Sequence, residues 1–189
     1  MVGGLTLAFD KVSLMRHFVP AAILVMMTCL QARPGDKAAG WGPLESLVGD
    51  WTGEGGGGPG QGAGSFSFKA DLQGKILVRK NRAEYPAGKA RAAFVHDDLM
   101  VIYRDTPQAP LRAIYFDSEG HTIRYEVEGA PDGGEVVFVS GPELSAPRYR
   151  LTYTRVDQDR LRIKFEIAPP GKPAQFATYI EAGARRSAK

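Results

Sequence analysis

The stretch Arg160-Leu161-Arg162-Ile163-Lys164-Phe165-Glu166-Ile167 alternates without a break between charged and apolar residues. Successive side chains of a β-strand point to opposite faces. A period of two therefore gathers Leu161, Ile163, Phe165 and Ile167 on a dry face and four charges on a wet one. His121, Ile123, Tyr125 and Val127 alternate with Thr122, Arg124, Glu126 and Glu128 in the same way, and Phe66 and Phe68 alternate with Ser65 and Ser67. Less regular strand candidates run over 48–54, 75–85, 90–95, 99–104, 111–117, 135–140, 148–155 and 175–182. No window after residue 50 sustains a helical period. Turn chemistry separates the runs: Asp117-Ser118-Glu119-Gly120, Pro131-Asp132-Gly133-Gly134, Asp157-Gln158-Asp159 and Ala168-Pro169-Pro170-Gly171. The expected fold is all-β, with about ten strands joined in order as an antiparallel up-and-down sheet. Closure into a β-barrel removes the edges such a sheet would expose. One short helix is expected over 43–48, leading into the first strand.

Composition fits this reading. The chain has 189 residues, 43% of them hydrophobic and 24% charged, which suits one globular domain and excludes wholesale disorder. A single cysteine, Cys29, rules out an internal disulfide framework and a cysteine-based zinc site. A formal charge of +3 lacks the dense basic face of a nucleic-acid binder.

The N-terminal region reads differently. Phe18 to Leu30 form an apolar run behind Arg16 and His17, shorter than the ~20 residues that span a bilayer. A secretory signal cleaved after Ala32 is expected, with Met15 a more usual start than Met1. Cys29 follows Met26, Met27 and Thr28 rather than a small residue, so it is read as part of the signal and not as a lipid anchor. The expected organisation is signal and upstream extension over 1–32, a flexible lead-in over 33–42, the barrel over 43–186 and a tail over 187–189. The protein is then exported to the periplasm, the envelope or the medium, with no integral membrane span. Loss of Lys11, Arg16 and Asp10 with the signal leaves a nearly neutral chain.

Leu44-Glu45-Ser46-Leu47-Val48-Gly49-Asp50-Trp51-Thr52-Gly53-Glu54-Gly55 resembles the opening of the calycin superfamily, the lipocalins, fatty-acid-binding proteins and their bacterial relatives. The resemblance implies that Gly49 and Trp51 lie on the first strand, that Trp51 plugs one end of the barrel, and that Arg185 or Arg186 packs across it. Gly53, Gly55 and Gly57 are similar to the opening of the nitrobindin-like haem barrels, which are also ten-stranded. Those carry a Tyr-Pro after the glycines and a haem-ligating histidine near the C-terminal strand. Here Pro59 lacks the tyrosine and no histidine follows His121, so no haem and no other cofactor is expected. The runs DDLMVIY, IYFDSEGH and RYRLTY resemble exported bacterial lipocalin-like proteins.

Candidate chemistry is sparse. Gly53-x-Gly55-x-x-Gly58 formally matches a dinucleotide fingerprint, but eight glycines within Gly53 to Gly64 make a chance match, and a loop is expected. His96-Asp97-Asp98 is read as a polar hairpin connection between Val95 and Leu99, although His96 and Asp98 would share a face. No metal site is assigned. His121, in register with Ile123 and Tyr125, is expected to face inward near a barrel mouth or to cap the hairpin after Gly120. Fatty-acid-binding proteins hold a carboxylate with inward arginine and tyrosine, which singles out Arg79. On the strand over 148–155, Tyr149, Leu151 and Tyr153 are the expected inward face, leaving Arg148 and Arg150 outside. Such a barrel is wide enough for a cavity. The expected function is non-catalytic binding of a small apolar or amphipathic molecule, with Arg79, Tyr115, His121 and Tyr125 as ligand contacts and the chain a monomer or weak dimer. The alternatives are an envelope interaction protein with a filled barrel, or an enzyme using His96/Asp98 or His121 as base.

Overall fold

The computed structural model describes residues 40–55, 63–88 and 92–188. The signal region with Cys29 and Ala32, together with Gly57, Gly58 and Pro59, lies outside the described residues.

A 3-10 turn, η1 (Gly42–Leu47), leads into ten strands: β1 (Gly49–Glu54), β2 (Ala63–Asp71), β3 (Ile76–Tyr85), β4 (Phe94–Tyr103), β5 (Arg112–Asp117), β6 (Thr122–Gly129), β7 (Glu135–Ser140), β8 (Arg148–Arg155), β9 (Arg160–Ala168) and β10 (Ala177–Arg186). Each strand pairs antiparallel with its sequence neighbours, and β1 pairs with β10, closing the barrel. The fold is thus an all-β, ten-stranded, up-and-down antiparallel barrel. Among the described residues no helix is long and apolar enough to cross a membrane.

One expected boundary is corrected. Phe94 and Val95 of the first run and Leu99–Tyr103 of the second belong to a single strand, β4, and His96-Asp97-Asp98 continues it rather than turning. The break between β3 and β4 lies earlier, where Pro86 and Gly88 follow Tyr85. Polar residues stand at inward positions of β4 because they find partners inside, as shown below.

One end of the barrel is stopped from within. Pro43 stands in the first turn of η1, where its missing N–H costs nothing. Leu44 and Leu47 are fully buried, and Trp41 nearly so. Trp51, on the inward face of β1, is buried and donates from Nε1 to Leu47 O at 2.8 Å. Its cross-strand neighbours are Phe66 on β2 and Arg186 on β10. Arg186 lies over the indole at 4.2 Å, and donates to Val48 O at 2.8 Å and Ser46 O at 3.2 Å. It therefore ties η1, β1 and β10 together. Gly49 has φ of +131°, and a Cβ there would stand 2.6 Å from Arg186 Nη1, so only glycine suits this crossing. Arg185 points outward and pairs with Glu54 at 2.8 Å, since alternation allows only one of the two arginines to face the indole.

Above this stop a chain of rings fills the barrel. Trp51 stacks on Phe66; Phe66, Phe68 and Phe138 each meet Tyr153; Phe138 meets Tyr125, and Tyr125 meets Tyr115. The expectation of an interior too wide to fill is corrected for this half, because large aromatic residues at successive inward positions occupy the space.

The outer face of β8 and β9 is only partly wet. Glu166 is 4% exposed although alternation directs it outward. Arg150 Nε donates to it at 2.6 Å and Lys164 Nζ lies at 2.9 Å, while Phe176 packs beneath Arg150 at 4.2 Å. The segment before β10 folds back here, with Gly171 N donating to Leu144 O. The hydrogen bond from Arg150, against the opposing effect of burial, holds the Glu166 carboxyl below the ordinary glutamate range. A depressed carboxyl adds stability above its unfolded value, and this is lost as pH falls through the folded value. Glu166→Gln is therefore expected to destabilise the barrel near neutrality, with the difference from wild type shrinking as pH drops below the ordinary carboxylate range. Urea midpoints measured across that range check it; a constant difference would sink the assignment.

Candidate functional site

The opposite end is built otherwise. Inward side chains near it are half-buried rather than buried: Asn81 and Ala83 on β3, His96 on β4, Tyr115 on β5, Ile123 on β6, Tyr149 on β8, and Ile163 and Phe165 on β9. Tyr149 and Phe165 stack with ring centroids 6.0 Å apart, forming an apolar wall. Facing it is a polar wall from β3, β4 and β5.

The polar wall starts from a buried ion pair. Arg79 Nη1 donates to Asp98 Oδ1, and Asn81 Nδ2 donates to Asp98 Oδ2 at 2.9 Å. The antiparallel register opposes Asn81 and Asp98 and sets Arg79 beside them, opposite Met100. Two buried charges are tolerable only when paired and hydrogen-bonded. Burial works against the charge on Arg79, but Asp98, helped by the hydroxyls of Tyr153 and Tyr115, outweighs it and raises its pKa above the ordinary value. Arg79 also lies 5.5 Å from the Phe66 ring, at the top of the aromatic chain. Its Nε and the Tyr153 hydroxyl are buried without a hydrogen-bond partner among the described residues. Burial pushes the Tyr153 phenol up to about 12.

From Asp98 the network rises to the rim. His96 Nε2 lies 3.3 Å from Asp98 Oδ2 and 3.2 Å from the Tyr115 hydroxyl. Tyr115 donates to Asp117 Oδ2 at 3.4 Å. His96 Nδ1 lies 2.8 Å from Glu119 Oε2. The hydrogen bond to Asp98, opposed by burial and aided by the charges of Asp98 and Glu119, raises the pKa of His96. Burial raises the phenols of Tyr115 and Tyr125. The turn after β5 is tied down by Asp117 Oδ1, which accepts from Glu119 N at 3.1 Å and His121 N at 2.9 Å. Burial opposes ionisation of Asp117, but these bonds and the His121 ring outweigh it and hold its carboxyl below the usual range.

The expected contacts separate on this geometry. Arg79 faces inward, yet Asp98 already neutralises it, so it is not a free carboxylate clamp. Tyr115 faces the open end, and Tyr125 is buried in the aromatic chain. The inward expectation for His121 is corrected: its side chain is 63% exposed and bonds Asp117 at 2.8 Å. It precedes β6 by one residue, so the strand's alternation does not govern it, and it caps the hairpin instead. Asp98, Asn81 and Glu119 were not marked as ligand contacts by sequence. The signal available was a polar pair at inward spacing in each of two consecutive strands: Arg79 and Asn81, and His96 and Asp98.

A concavity of about 690 Å³ also lies against the outer surface, where outward residues Ser65, Ser67, Lys80, Arg82, Leu99 and Phe116 contribute to its lining. No protein-family model matches the chain, and no curated protein matches it.

Proposed function

We propose that the chain is an exported, calycin-like barrel that binds a small amphipathic molecule non-catalytically in its open end. The observation that carries this is the contrast between the two halves of the interior. Around η1 and Trp51 most inward residues are buried, with Val127 and Arg186 half-buried, whereas at the far end they mostly stay half-exposed and divide into an apolar wall and a hydrogen-bonding wall. An apolar surface with a few convergent polar groups is the usual make-up of a small-molecule site. Tyr149, Phe165, Ile163 and Ile123 supply the apolar side; Tyr115, Asn81 and His96 supply the polar one. Because Asp98 already pairs Arg79, a neutral hydrogen-bonding head group suits the site better than a carboxylate. Export rests on the apolar run from Phe18 to Leu30, and the calycin relationship on Gly49, Trp51 and the arginine over the indole.

Native mass spectrometry of protein purified from its own host tests this reading, together with titration of a fluorescent fatty alcohol. A co-purifying small molecule, or saturable probe binding weakened several-fold by Tyr149→Ala, is the expected result. A bare mass and an empty titration would instead favour an interaction protein that uses its outer surface.

A further inference from the structure

Three metal-ligating side chains from two neighbouring strands and the turn after them converge at the rim of the open end. His96 comes from β4, Asp117 from the end of β5, and Glu119 from the turn that follows. One ligand atom of each lies within 4.8 Å of the others. Ligands on a common zinc-sized ion, each at about 2.1 Å, can be at most about 4.2 Å apart. The present spread is thus slightly wider than a single ion requires, and small side-chain rotations at the rim are needed to close it.

The hydrogen bonds also decide which histidine nitrogen is offered. Tyr115 gives its only proton to Asp117 at 3.4 Å, so it can only accept from His96 Nε2 at 3.2 Å. Asp98 Oδ2, at 3.3 Å from the same nitrogen, is also an acceptor. Both partners therefore place the imidazole proton on Nε2. In the neutral ring this leaves Nδ1 as a lone pair turned toward Glu119 Oε2, 2.8 Å away, which is itself an acceptor. Two acceptors at that distance need a positive centre between them, which a second ring proton supplies in the absence of metal and which a metal ion would supply by displacing that proton. Metal-binding histidines characteristically give their second nitrogen to a carboxylate that fixes ring and tautomer. Asp98 has that position here, and is in turn fixed by Arg79 and Asn81. Asp117 is oriented likewise by the backbone N–H groups of Glu119 and His121 and by His121 Nδ1 at 2.8 Å.

We propose that His96 Nδ1, Asp117 and Glu119 bind a divalent transition-metal ion of the zinc type at the mouth of the barrel. The mixed imidazole and carboxylate donor set selects such an ion over calcium or magnesium, which take oxygen ligands. This inference is independent of the amphipathic-ligand reading, since an ion at the rim requires no molecule inside.

The test is isothermal titration of zinc chloride into untagged, chelator-treated protein near neutral pH, with cobalt(II) absorption as a second readout. A saturable one-to-one isotherm and a cobalt spectrum are expected. Glu119→Gln, in an exposed turn away from the core, should weaken zinc by at least about tenfold, an effect that even outer partners of a metal site can carry. His96→Gln should abolish binding and the cobalt spectrum, with circular dichroism showing the fold retained. Asp97→Asn, the outward neighbour on β4, should leave the isotherm unchanged. A folded protein with neither heat nor cobalt absorption overturns the proposal. So does zinc binding that Glu119→Gln and His96→Gln both leave intact, and so does equal loss with Asp97→Asn.

Discussion

Trp51→Ala is expected to remove about 3–5 kcal/mol of stability, a large share of the roughly 5–15 kcal/mol that a domain possesses. The loss has several parts that act together. The indole is the widest side chain among the fully buried ones, so its removal leaves a cavity at the closed end. It stacks on Phe66, whose ring supports Phe68 and Tyr153 above it. Its Nε1–H satisfies Leu47 O, which would otherwise be a buried, unpaired carbonyl. Arg186 would lose the face it lies on while keeping its cost of ordering. Urea unfolding followed by circular dichroism measures the effect without relying on tryptophan emission, which Trp41 alone would then supply. Trp51→Phe keeps part of the stack and gives up the hydrogen bond, so its loss should be clearly smaller. A near-neutral alanine variant would mean that Trp51 does not stop the barrel.

The buried pair of Arg79 and Asp98 gives the second large effect. Both side chains are almost wholly removed from water. Arg79→Met strands the Asp98 carboxylate with Asn81 and His96 as its remaining partners, and Asp98→Leu strands the guanidinium above Phe66. Breaking a buried pair from one side costs about 3–5 kcal/mol, whereas replacing both partners by apolar residues of similar size is often neutral or better. Each single variant is therefore expected to be strongly destabilised, and the double variant to recover most of the loss. Thermal or urea unfolding of all four proteins completes the cycle. If the double variant loses the sum of the single losses, the two residues are not acting as a pair.

The strands were legible where one face is dry and the other wet. Arg160 to Ile167 announces β9 outright, and His121 to Glu128 announces β6 except for its first residue. Reading failed where inward residues are polar. Alternation of apolar and polar residues vanishes at His96 and Asp98, because both faces of β4 are polar there, and the triplet then resembles a turn. What keeps Asp98 inside is its partnership with Arg79 and Asn81 on the preceding strand, and His96 is held in turn by Asp98 and Tyr115. That pairing depends on the β3–β4 register, which a hydrophobic pattern specifies only where one face is apolar. Glu166 shows the converse limit. Its outward position was legible, but its burial under Arg150, Lys164 and Phe176 comes from a loop folding back, and loops carry no periodicity. Glu119 was visible only as a turn residue, since its approach to His96 joins two elements 23 positions apart.

The seam between β1 and β10 sets an order of events during synthesis. Trp51 and Arg186 face each other across it, yet they are the inward residues of the first and last strands. While the ribosome still holds the C-terminal strand, the indole has no cation above it, and β1 offers its free edge to any passing chain. Local hairpins from β2 to β9 can form beforehand, but the ring of hydrogen bonds cannot close around them. The last strand of the barrel is thus a latch, and until β10 has emerged the nascent chain remains an open, unfinished sheet.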